Sequence, residues 1–178
     1  MIGSSGDVFS EVLVKRKTTA GSIVAKVVFG ITIFLILALF VLGFFSALPG
    51  LFLFAVIILV IEYFIIKFQK VEYEYIFTSG DLDFDQLSGD FRRKRKLTVK
   101  FESMEVIAPE GSHYLDGYQH DNNIKVYDFS SRDKEKKRYV YVGAAPGDRG
   151  GRVKVIFEPS EKMLKNMFNY SPSKVKIQ

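Results

Sequence analysis

Val71-Glu72-Tyr73-Glu74-Tyr75-Ile76-Phe77-Thr78-Ser79-Gly80-Asp81-Leu82-Asp83-Phe84-Asp85 alternates apolar with charged residues in two runs separated by a Ser-Gly pair. A period of two is that of a strand with one buried face, and the dipeptide is a hairpin turn. Two-residue closure sets Phe77 opposite Leu82 and Tyr75 opposite Phe84, so the apolar faces of the two strands coincide. A second turn at Ser88-Gly89 leads into Phe91-Arg92-Arg93-Lys94-Arg95-Lys96-Leu97-Thr98-Val99-Lys100-Phe101, where Leu97, Val99 and Phe101 continue the inner face. This register predicts Asp85 across from Arg92, Asp83 across from Lys94 and Asp81 across from Lys96, each pair contributing ~0.2–1 kcal/mol. It also puts Arg93 and Arg95 on the apolar face, where they must lie near an open rim unless the register differs.

Downstream, strands are predicted at 104–108, 124–129, 138–143 and 152–158, separated by Gly, Asp, Asn and Pro clusters. After Pro159 the period changes. Ser160 can cap a helix, Glu161 suits its first turn, and Met163, Leu164, Met167 and Phe168 make one apolar stripe that stops near Tyr170, before Pro172. Residues 68–178 thus read as an α+β domain of seven strands, a curved sheet or partial barrel plugged by a C-terminal helix.

Upstream, Val27 to Ser46 is a run of 20 residues without a charge, 15 of them Val, Ile, Leu or Phe. A helix of that length crosses ~30 Å of hydrocarbon, and its apolar content favours insertion by roughly several kcal/mol. Pro49 and Gly50 break this run and begin a second, from Leu51 to about Ile66, with 13 Val, Ile, Leu or Phe residues and one carboxylate, Glu62. Glu62 lies a little over one turn from Lys67, which predicts a position near the headgroups beside the interfacial Tyr63. Gly43 and Ala47 have the small-residue spacing that aids helix contact.

Lys15, Arg16, Lys17 and Lys26 precede the first span, Lys67 and Lys70 follow the second, and the turn between them carries no charge. That asymmetry predicts a multi-pass cell-membrane protein with both termini in the cytoplasm. A cleaved signal peptide fits less well, because the apolar run is too long and Phe45 stands where a small residue belongs. Three segments follow: a leader over 1–22, two spans within 23–67, and a cytoplasmic domain over 68–178. In the leader, Val8, Phe9, Val12 and Leu13 have helical spacing, which fits a short helix on the inner leaflet and a disordered segment equally.

The hairpin from Tyr75 to Phe84, the Arg92 to Lys96 run and Glu158-Pro159-Ser160-Glu161-Lys162-Met163-Leu164 resemble a bacterial pleckstrin-homology-like (PH-like) domain. With Glu11 to Lys17 and the two spans, the whole chain is similar to a small family of bacterial two-span membrane proteins that carry such a domain on the cytoplasmic side and have no established activity. The resemblance implies a module that binds lipids or proteins and does not catalyse. Lipid-binding members of the wider class hold phosphoinositides with basic residues around the first hairpin loop, whereas here that loop is Thr78-Ser79-Gly80-Asp81, which is acidic.

The 178 residues carry formal charge +5, from 25 Lys+Arg against 20 Asp+Glu. There is no cysteine, which excludes disulfides, thiolate metal sites and cysteine nucleophiles. Asp81, Asp83 and Asp85 have the spacing of a calcium loop, but Gln86 stands where its glycine belongs. His113 and His120, with Asp116 and Asp121, sit in a polar loop over 110–123 that suits a variable or partner-binding segment better than a metal site. Gly147-Asp148-Arg149-Gly150-Gly151 lacks the Gly-Lys-Ser/Thr ending of a phosphate loop and reads as a hairpin loop. No catalytic motif, cofactor or metal site is identified, and the acidic strand beside Arg92 to Lys96 argues against nucleic acid.

The expected function is therefore a membrane-anchored binding or scaffold module that engages a protein partner or anionic lipid. Its lipid-surface candidates are Lys15, Arg16, Lys17, Arg92, Arg93, Lys94, Arg95 and Lys96, at on the order of 1 kcal/mol for each basic residue close to the leaflet. The alternative is a subunit of a small transporter or channel assembly that uses Glu62 as an intramembrane polar residue.

Overall fold

The computed structural model describes residues 9–17, 20–41, 49–89, 92–118, 124–146 and 151–177. The turn at Ala47-Leu48, the spacing of Gly43 with Ala47, His120, Asp121 and Gly147 to Gly150 lie outside these residues. The chain divides into two compact units.

The first unit is a β-rich head assembled from residues on both sides of the helical segment: those up to Lys17, Glu72–Leu87, and those from Arg92 onward. Its first sheet has the order β1 (Phe9–Lys15), β2 (Val71–Thr78), β3 (Asp81–Ser88), β4 (Arg92–Lys100). The β2–β3 connection is the two-residue Ser79-Gly80 turn, with φ of 49° and 95°, the doubly positive backbone that matches the twist of a tight hairpin. Tyr75 and Phe84 meet edge-to-face across it with ring centroids 5.4 Å apart.

β1 corrects the leader reading. Phe9–Lys15 is neither an interfacial helix nor a free segment but a strand antiparallel to β2, from Phe9 opposite Thr78 to Lys15 opposite Glu72. Ser10 and Val14 are buried while Phe9, Glu11, Leu13 and Lys15 face out. The same letters carry both periods; pairing with β2, some 60 residues away, selects the period of two because it satisfies an edge of backbone donors and acceptors. Among the described residues the head therefore has eight strands in two sheets and not seven.

The second sheet has the order β5 (Met104–Pro109), β7 (Tyr139–Ala144), β8 (Arg152–Phe157), β6 (Lys125–Asp128), with β6 parallel to β8 and the other pairs antiparallel. A 3-10 helix at His113–Tyr118 anchors the polar loop through Leu115, which is buried against Val106, Ala108 and Val140. The core is rich in aromatic rings: Tyr75, Phe77, Phe84, Tyr141 and Phe157 are fully enclosed.

The final helix, Glu161–Tyr170 (α3 in chain order), starts as its sequence predicts. Ser160 Oγ accepts the Met163 N–H at 3.2 Å, and Met163, Leu164 and Met167 are buried. The tail then returns to β5, where Ile107 N–H donates to Lys174 O at 2.9 Å and Lys176 N–H to Ile107 O at 2.7 Å. Val175 is buried there.

The second unit is helical: α1 (Ala20–Val41) pairs with α2 (Pro49–Phe68). Two stretches, Ala20–Val41 and Gly50–Phe68, are long and apolar enough to cross a membrane, and none of their most apolar window is buried within the protein. A core helix of a soluble protein would hide such a surface; these leave Phe34, Phe40, Leu53 and Phe54 exposed. At the far end of the unit, Gly89 N–H donates to Lys70 O at 3.0 Å.

Candidate functional site

The basic run on β4 divides into two sets. Arg93 donates through Nε to Asp85 Oδ2 at 2.7 Å, and its Nη2 forms an ion pair with Glu74 Oε2. Arg95 reaches Asp85 Oδ1 at 3.2 Å and Asp83 Oδ2 at 3.1 Å, and the Thr98 hydroxyl donates to Asp83 Oδ1 at 2.6 Å. The expected pairs of Asp85 with Arg92 and Asp83 with Lys94 are thus replaced by pairs with Arg93 and Arg95, and among the described residues neither Asp81 nor Lys96 makes an ion pair. Arg95 and Thr98, three residues apart, meet the same carboxylate. The physical reason is burial: Asp85 is 3% exposed, and a nearly enclosed carboxylate requires charged donors more than a solvated one does.

The electrostatics follow from this packing. Glu74 is held above the ordinary carboxylate range, first by burial and then by its hydrogen bond with Glu11, although the Arg93 charge opposes both. Arg93 is raised, chiefly by its hydrogen bond to Asp85. Arg92, Lys94 and Lys96 are exposed and, among the described residues, make no ion pair. Asp83 and Asp85 spend oxygens on Arg93, Arg95 and Thr98, so the calcium-loop spacing serves a strand.

The basic residues ahead of α1 are engaged within the head. Lys15 Nζ lies 3.6 Å from Glu72, as the β1–β2 register dictates. Arg16 Nη1 donates to the Tyr73 hydroxyl at 2.8 Å, and Lys17 Nζ is 2.9 Å from Asp133. The Lys17 hydrogen bond is the first cause that holds Asp133 below its ordinary range.

Glu62 turns toward α1. The Thr32 hydroxyl lies 3.0 Å from Glu62 Oε1 and 3.1 Å from Val28 O, while Glu62 Oε2 has no hydrogen-bond partner among the described residues. Thr32 lies mid-helix in α1, and Glu62 lies six residues before the end of α2. His113 is on the 3-10 helix with its ring against Tyr114. No group of three or more metal-ligating residues occurs among the described residues.

Sequence reasoning missed one feature. A groove of about 700 Å³ lies within the head between β1, Lys136-Lys137 and the start of α3. It cannot be seen until β1 is known to be a strand.

Two sheets, a capping C-terminal helix and an inserted apolar helical pair define a PH-like module, a class typically used for binding and not for catalysis. The chain belongs to the family described as bacterial PH-like domain (DUF6106), whose model matches residues 6–177. The match takes in β1 and both apolar helices, so the helical insertion is part of the family pattern. No curated protein and no solved structure matches the chain.

Proposed function

We propose that this protein is a binding module anchored in the cell membrane by α1 and α2, with both termini cytoplasmic and the basic face of β4 applied to anionic lipid of the inner leaflet. The observation that carries the reading is the division of the basic run. Arg93 and Arg95 are consumed by Asp83, Asp85 and Glu74, whereas Arg92, Lys94 and Lys96 are exposed and make no ion pair among the described residues. Three such cations, brought close to an anionic leaflet, contribute on the order of 1 kcal/mol each. Arg93, Arg95, Lys15, Arg16 and Lys17 then serve mainly to hold the head together.

The test is hydrogen exchange of the full chain in nanodiscs with and without anionic lipid. Amides over 92–96 are expected to slow in anionic discs, and to stop responding when Arg92, Lys94 and Lys96 are changed to Gln. Equal exchange in both lipids would sink the reading.

A transporter or channel subunit is the second reading, favoured by the unpartnered Glu62 Oε2 among apolar helices. Glu62→Gln separates the two: loss of an ion or solute flux with unchanged lipid response supports transport.

A further inference from the structure

We propose that the groove between β1 and α3 receives an extended acidic segment of a partner protein, added as a strand to the open edge of β1. β1 ends its sheet, and among the described residues Phe9–Lys15 makes no backbone hydrogen bond except to β2. Alternate residues of such a strand direct N–H and C=O groups away from the sheet, which is a template for one more strand.

The walls state the chemistry of the incoming strand. Lys136, Lys137 and Lys165 line the groove, and none makes an ion pair among the described residues. The first turn of α3 adds the partial positive charge of a helix N-terminus. Apolar seats come from Leu13 and Ile177, which line the groove and are 49% and 43% exposed.

Glu158 carries the argument from an anion to a polypeptide. It lines the groove at 6% exposure, and its Oε1 accepts from Ser131 N–H and Oγ at 2.9 and 2.8 Å. Its Oε2 is enclosed and, among the described residues, has no partner. Glu158 and the exposed Glu161 both line the groove and repel a bare phosphate or lipid headgroup, whereas a peptide brings backbone N–H groups and acidic side chains together. A second cavity, about 430 Å³, shares Lys136, Lys137 and Ile177 and prolongs the groove past Pro109, which suits an extended chain.

The probe is a random twelve-residue peptide library displayed on phage, selected against the full chain in discs of zwitterionic lipid alone. Omitting anionic lipid keeps this result separate from the β4 reading. Enriched peptides are expected to alternate acidic with apolar residues. A synthetic copy should bind at least about tenfold more weakly to Lys136→Glu/Lys165→Glu, should bind unchanged to Lys94→Glu, and should slow exchange of β1 amides. Enrichment without acidic bias, no enrichment over empty discs, unaltered binding to the double variant, or β1 amides slowed by a second copy of the chain in place of the peptide each overturns the proposal.

Discussion

Arg93 bridges two carboxylates from neighbouring strands, with its Nε 2.7 Å from Asp85 and its Nη2 on Glu74. Arg93→Gln leaves a 3% exposed Asp85 with Arg95 as its remaining counter-charge. Because Arg93 itself is half exposed, the expected loss is ~1–3 kcal/mol and not the full cost of breaking an enclosed pair. Arg92→Gln, one residue away and unpaired, should change stability by less than ~0.5 kcal/mol. Denaturant unfolding of the two variants measures the difference, and equal effects would remove the division of the basic run.

The head should carry two opposed acid responses. Glu74 is raised above 4.5 in the folded state, mainly by burial, so its contribution is full below 4.5 and is lost as pH rises through the folded value. Asp133 is lowered from 3.8 by Lys17, so its contribution is present above 3.8 and is lost as pH falls through the folded value. Glu74→Gln should therefore flatten the decline in stability above pH 4.5, and Asp133→Asn should flatten the acid limb below pH 3.8. Unfolding midpoints measured at intervals from pH 3 to 7 follow both; a Glu74→Gln profile parallel to that of the unmodified chain contradicts the first assignment.

A side chain on Gly80 would overlap the Tyr170 hydroxyl, and the φ of 95° there is a conformation that other residues resist. Gly80→Ala should destabilise by ~1–3 kcal/mol. In the background of Tyr170→Ala the same change should cost less, because the overlap is gone and only the backbone strain persists. A double-mutant cycle in denaturant tests the coupling.

Among the described residues, Thr32 supplies the one hydrogen bond that Glu62 accepts. Thr32→Val keeps the shape and removes it, and pairing of α1 with α2 should weaken by ~0.6–1.7 kcal/mol. Thermal unfolding in detergent, followed in the helical signal, reports the change. A shift indistinguishable from that of an exposed Val28→Ala variant shows that the bond is inert.

The chain has no cysteine, so a single introduced one reports its own position. Ser173→Cys should react with an impermeant maleimide only after intact cells are opened, whereas Ala47→Cys should react before. Labelling of position 173 in intact cells contradicts the cytoplasmic placement of the head.

Much of this architecture is legible locally. The two apolar runs, the Ser79-Gly80 hairpin with its facing Tyr75 and Phe84, and the Ser160-capped helix each follow from periods and punctuation within about 20 residues. The basic run is the instructive failure. Charges can be matched in either of two neighbouring registers at similar gain, and the choice of Arg93 and Arg95 depends on which carboxylates are enclosed, a property of the packed sheet.

The sequence by itself settled that two helices are too apolar for a water-exposed surface and that a β-rich module follows them, because hydrophobic period and span length are properties of contiguous residues. Only the tertiary structure decided that Phe9–Lys15 is the first strand of that module, reached across the whole helical insertion, and so that a lysine-lined groove exists beside it. Strand pairing between residues some 60 positions apart leaves no periodic mark of its own; it is chosen by the unsatisfied edge of β2, which does not exist until the sheet has formed.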